Sequence, residues 1–175
     1  MRRRLWFTLA VVLQIAILFT MIGMKWSTLT YGTKILLKTQ PVDPTDFFRG
    51  DYVILNYEIA TLDLPALGVS GEEFKTNDTV FVSLVKQGKY WVARSVSRNR
   101  PGDGSLFIKG TVTYYDSYSK KLNVNYGVDS YYVPQHQGKV IETARVFMEV
   151  EVSVDKRGES AISRIFLKGQ EVKFQ

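Results

Sequence analysis

The chain has 175 residues, 23 Lys and Arg against 17 Asp and Glu, no cysteine and one histidine, His136. Without cysteine there is no disulfide framework, thiolate metal site or cysteine nucleophile, and a single histidine excludes a multi-histidine zinc centre within one chain. Three of the +6 formal charges sit in Arg2, Arg3 and Arg4, so the remainder is mildly basic and does not read as a nucleic-acid binder.

Those arginines precede "LWFTLAVVLQIAILFTMIGM", Leu5 to Met24, which carries no charge and only Thr8, Gln14 and Thr20 as clearly polar residues. About 20 apolar helical residues cross the roughly 30 Å hydrocarbon layer. The following Ile22-Gly23-Met24-Lys25 lacks the small-x-small pattern of a cleaved signal peptide. Trp6 and Trp26 fall where interfacial aromatics belong, and the arginines predict an N-terminus on the cytoplasmic side. The expectation is a cytoplasmic tip and transmembrane anchor over residues 1–26 in the cell (inner) membrane, and an extracytoplasmic domain over residues 27–175. Gln14, an amide within lipid, is expected to contact a partner helix.

Beyond Trp26 the pattern changes to alternation, which predicts strands. In chain order these are Thr33 to Thr39, "DYVILNYEI" (Asp51 to Ile59), Thr79 to Lys86, Tyr90 to Ser97, Leu106 to Tyr115, "KLNVNYG", "SYYVP", "RVFMEVEVSVD" and "SAISRIFLKG". Gln87-Gly88-Lys89 and Lys156-Arg157-Gly158-Glu159 are hairpin signals. Only Gly138 to Val146 predicts a helix, and a short one. Asp63 to Asp78 is a long connection suited to covering an open end of the domain. The fold class expected is mainly β: one transmembrane helix, then an antiparallel β-barrel or sandwich with one short helix.

Within "FFRGDYVILNYEI", Val53, Leu55, Tyr57 and Ile59 fall on one face and predict a core face, while Arg49-Gly50-Asp51 reads as the turn into the strand rather than an adhesion loop. "GDYVILNY", Gly50 to Tyr57, is an unbroken instance of Gly-Asp-Tyr-x-x-Leu-x-Tyr. Together with "PVDPTDFFR", the turn from Arg100 to Gly104, "FIKG" and "YYVP…GKVIE", it resembles the GDYXXLXY family of bacterial membrane-anchored proteins over roughly residues 25–170. The resemblance implies a single-pass anchor. Some members are encoded with, or fused to, polytopic membrane proteins, which implies a membrane partner. Gly50, Asp51, Tyr52, Leu55 and Tyr57 carry the motif; the sequence leaves both folding and recognition open to it, and the period that places Leu55 and Tyr57 in the core favours folding.

"PVDPTDFFRGDYVIL" is also similar to the nucleophile region of signal peptidases, where a serine is activated by a neutral lysine. The alignment puts Pro41 at the serine, and Ala93 or Arg94 at the lysine. Proline has no nucleophile and arginine stays protonated, so this likeness implies a non-catalytic relative.

Glu72-Glu73 reads as a surface pair, and Asp43, Asp46 and Asp51 lack the spacing of a calcium loop. No catalytic residue, metal site or cofactor is expected. Tyr114, Tyr115, Tyr118, Tyr126, Tyr131 and Tyr132 crowd one region, and tyrosines favour both strand cover and binding surfaces. The candidate groove is Arg49, Asp51 and Tyr52 with Tyr131, Tyr132 and Pro134. The function expected is a non-enzymatic, membrane-anchored β-domain docking to or regulating a polytopic membrane protein. The alternatives are a peptide- or glycan-binding sensor and a divergent membrane-bound peptidase or carbohydrate-active enzyme.

Overall fold

The computed structural model describes residues 2–40, 52–69, 71–132 and 148–172. Among the described residues one α-helix, α1 (Arg2–Tyr31), is followed by short strands: β1 (Thr33–Lys38), β2 (Tyr52–Ile54), β3 (Thr61–Asp63), β4 (Thr79–Gln87), β5 (Tyr90–Ser97), β6 (Phe107–Asp116), β7 (Lys121–Asn125), β8 (Ser130–Tyr132), β9 (Met148–Val154), β10 (Ser160–Leu167) and β11 (Gln170–Glu171). The chain is thus mainly β behind one apolar helix. The short helix expected at Gly138 to Val146 lies outside the described residues. A 3₁₀ turn at Glu58–Ala60 interrupts the predicted strand from Asp51 to Ile59 instead.

The strands form two antiparallel sheets and a ribbon. One sheet has the order β1-β9-β10-β11, the other β3-β7-β6-β4-β5, and β2 pairs with β8. The sheets enclose one core. Val80, Val82, Ile108, Val112 and Leu122 come from the five-stranded sheet, and Ile35, Leu37, Val150 and Val152 from the four-stranded one. Each such aliphatic side chain contributes about 1.5–3 kcal/mol by leaving water. At one corner β1 runs beside β5, and Glu149 of β9 accepts from Lys89 and Tyr90 at the β4–β5 hairpin. At another, the Lys109 N–H of β6 donates to the Gly158 carbonyl in the β9–β10 turn at 2.8 Å. The long connection after β3 is fixed by Leu64 and Phe74, both in the core.

Three β-bulges bend these sheets and reverse which residues face inward. The register skips Thr113 between Val112 and Tyr114, Arg94 between Ala93 and Ser95, and Ser163 between Ile162 and Arg164. After Thr113 the inward position passes to Tyr115, which packs on the core, and Tyr114 is 59% exposed.

α1 is exposed along its apolar length, and none of its most apolar window is buried. It continues beyond the apolar run to Tyr31, and its last turns lie against β9 and β10. The final carbonyls of a helix need outside donors. The Thr28 carbonyl receives two: the Gly32 N–H at 3.0 Å and the hydroxyl of Ser153, which β9 presents fully buried, at 2.7 Å. The Thr28 hydroxyl reaches Asp155 at 3.3 Å, and the Lys25 ammonium donates to the Ser160 carbonyl at 2.6 Å. Helix and sheet are joined by hydrogen bonds rather than by a linker.

Candidate functional site

The segment after β2 leaves the strand but keeps its alternation. Leu55, Tyr57 and Ile59 are buried, while Ile54, Asn56 and Glu58 are half-buried. It is held by backbone bonds on both sides: Leu55 N–H to the Asp129 carbonyl and Gln40 N–H to the Asn56 carbonyl, both 2.7 Å, with an isolated bridge between Thr39 and Tyr57.

Two tyrosines lock this segment to the β7–β8 connection in opposite directions. The Tyr57 hydroxyl donates to the Val128 carbonyl at 2.6 Å, and the Tyr126 hydroxyl donates to the Ile59 carbonyl at 2.7 Å. Burial pushes both phenols well above their ordinary range, with the nearby Asp129 charge adding to the effect at Tyr57. They remain protonated donors. The Leu and final Tyr of the Gly-Asp-Tyr-x-x-Leu-x-Tyr segment therefore occupy the core.

Of the candidate groove residues, Arg49, Asp51 and Pro134 lie outside the described residues, as does Gly50 of the motif. The β2–β8 register sets Tyr52 opposite Tyr132. Tyr131 takes the alternate position, opposite Val53, and packs partly buried against the core. The wider tyrosine group does not form one face: Tyr126 is core, Tyr115 stacks edge-on against Phe74 at 6.3 Å, and Tyr114 and Tyr118 are exposed.

Beside this segment lies a cleft of about 350 Å³ that the sequence did not reveal. Asn56, Thr61, Thr113, Asn123, Asn125 and Asp129 supply its polar lining. These residues come from separate elements, and the bulge at Thr113 adds a hydroxyl that donates to the Asn123 carbonyl at 3.2 Å. Amides and hydroxyls of this kind recognise a ligand by hydrogen bonding.

Ala93 and Arg94, the positions set against the peptidase lysine, lie in β5; Ala93 packs on the core and Arg94 is the exposed bulge residue. Pro41, Asp43, Asp46 and His136 lie outside the described residues. Glu72 and Glu73 are exposed in the loop before β4. Among the described residues no group of three His, Cys, Asp or Glu side chains is placed to hold a metal ion. Gln14 is exposed on α1.

An uncovered apolar helix locked at its end to a two-sheet domain defines the class: a β-domain carried on an N-terminal helix long and apolar enough to cross a membrane. The sequence matches the family described as GDYXXLXY protein over residues 14–165, and the chain belongs to that family. No curated protein and no solved structure matches it.

Proposed function

We propose that the chain is a single-pass membrane protein whose β-domain, held outside the cytoplasm, docks a polytopic membrane-protein partner without catalysing a reaction. The observation that carries this reading is the state of the polar groups on an otherwise uncovered apolar helix. Thr8 and Thr20 donate to carbonyls four residues back, Arg4 at 3.0 Å and Ala16 at 2.8 Å. The Gln14 amide has no hydrogen-bond partner among the described residues. In hydrocarbon such a group costs several kcal/mol unless it is satisfied by another chain. Arg2 to Arg4 orient the N-terminus inward.

Crosslinking in native membranes, followed by mass spectrometry of what is solubilised with the chain, tests the proposal. A polytopic protein should be recovered, less of it with Gln14→Leu and none when residues 27–175 are removed. Recovery of the chain alone would overturn docking. Undiminished recovery with Gln14→Leu would leave the β-domain as the docking element and remove the helix from it.

The amide-lined cleft favours a second reading, a sensor for a peptide or glycan. That reading requires Asn123→Ala to weaken quenching of intrinsic fluorescence by such ligands at micromolar concentration.

A further inference from the structure

The helix and the β9–β10 turn enclose a groove of about 620 Å³ that the docking reading does not use. One wall is α1 from Met21 to Tyr31, and the other is the turn from Asp155 to Glu159. Met21, at the far end of the helix wall, lies four residues or about 6 Å from Lys25 along the helix axis. Met21, Gly23 and Met24 make the lower wall apolar, and Lys25, Lys156 and Arg157 stand around it.

The two carboxylates here are already engaged. Asp155 accepts from the N–H groups of Arg157 and Glu159 at 2.8 and 3.0 Å and from the Thr28 hydroxyl at 3.3 Å. Glu159 pairs with Lys109 at 2.7 Å. Lys25 donates to a backbone carbonyl, and among the described residues neither Lys156 nor Arg157 has a carboxylate partner. Arg100 lies over Phe107 and donates to the Lys156 carbonyl at 2.7 Å, adding a further cation. The exposed Trp26 marks the same level of the helix as interfacial.

We propose that this groove binds anionic phospholipid headgroups of the leaflet from which α1 emerges, the phosphate among Lys25, Lys156 and Arg157 and the upper acyl chain along Met21 and Met24. The proposal rests on the membrane-anchor reading. Its occupant follows from charge and depth: a cationic rim above an apolar wall, at the end of a membrane-length helix, matches an anionic lipid in both.

The test uses the full chain in detergent micelles doped with equal amounts of phosphatidylglycerol and phosphatidylcholine, read by native mass spectrometry. Phosphatidylglycerol adducts should exceed phosphatidylcholine adducts by roughly fivefold or more, given the attraction of each basic residue to an anionic surface. Lys156→Gln with Arg157→Gln, both exposed turn positions, should bring the two to parity. Lys75→Gln with Lys86→Gln, away from the groove, should leave the preference intact. Parity in the wild type, or a preference untouched by the turn variant, overturns the proposal. So does a preference abolished by millimolar inorganic phosphate at constant ionic strength, which assigns the groove to a free anion. Carbonate extraction of native membranes separates the two levels. A chain released by carbonate overturns the anchor and the lipid site together, whereas a retained chain with no headgroup preference loses only the lipid site.

Discussion

Gly32 and Ser153 leave no room between them: a Cβ at Gly32 would lie 2.5 Å from Ser153 Oγ, and nearer still to the Thr28 carbonyl oxygen that Ser153 hydrogen-bonds. Neither neighbour can give way without breaking the joint between α1 and β9. Gly32→Ala is expected to cost about 1–3 kcal/mol, read as a lower thermal midpoint of the full chain in detergent. Gly23→Ala, in the same helix but with open space around it, should leave the midpoint unchanged or slightly higher.

Three tyrosine-to-phenylalanine changes should divide by sign. Tyr57→Phe and Tyr126→Phe each strip a buried carbonyl of its donor and should destabilise by about 1–3 kcal/mol. The Tyr115 hydroxyl is buried with no hydrogen-bond partner among the described residues, so Tyr115→Phe should be neutral or stabilising. Denaturant midpoints of the three variants, measured side by side, check the pattern. A loss at Tyr115 equal to that at Tyr57 would show that the phenol is satisfied after all.

Acid should loosen the outer face of β9. Partial burial pushes the Glu149 and Glu151 carboxyls up, but hydrogen bonds from Lys89 and Tyr90 to the first and from Arg164 to the second outweigh it, and both end below the ordinary 4.5. The unfolded carboxyls therefore take up protons first. The stability they contribute is complete above pH 4.5 and is lost as pH falls below 4.5 toward the depressed folded values. A pH series of thermal midpoints should fall over that window, and Glu151→Gln should flatten the fall. On the alkaline side the sign reverses for Tyr57 and Tyr126, raised by burial from 10.0: stability is complete below pH 10 and is lost as pH rises above it.

Gly158 closes the corner between the sheets with a φ of +84°, and a Cβ there would stand 2.8 Å from the Phe107 ring and 2.9 Å from the Lys109 nitrogen. Gly158→Ala combines left-handed backbone strain with a clash against main chain. It should destabilise by more than about 2 kcal/mol, whereas Gly102→Ala, in open space, should have little effect on the same melt.

Most strands were legible because their apolar residues alternate where one face is buried: β5 runs over the predicted Tyr90 to Ser97, and β1 and β4 differ from expectation by one residue at an end. Strict alternation failed at the bulges. Tyr114 follows Ile108, Gly110 and Val112 in period two, but the extra residue Thr113 turns Tyr115 inward in its place. No local signal at Thr113, Arg94 or Ser163 announces an unpaired residue, because a bulge is set by the partner strand. β3 and β11 have three and two residues, too few for any period to show. The burial of Leu55 and Tyr57 was readable from spacing, but their clamp with Tyr126 and the cleft beside it depend on pairings distant in sequence.

A helix that enters its domain through Lys25, Thr28 and Gly32 gives the domain an azimuth as well as a height. Successive residues of an α-helix are about 100° apart around the axis. One alanine inserted between Gly23 and Met24 would therefore swing every face of the β-domain by more than a quarter turn relative to Gln14, with each internal contact of the domain preserved. The phase of α1 thus acts as a compass bearing, and a partner that grips helix and domain together can accept only one heading.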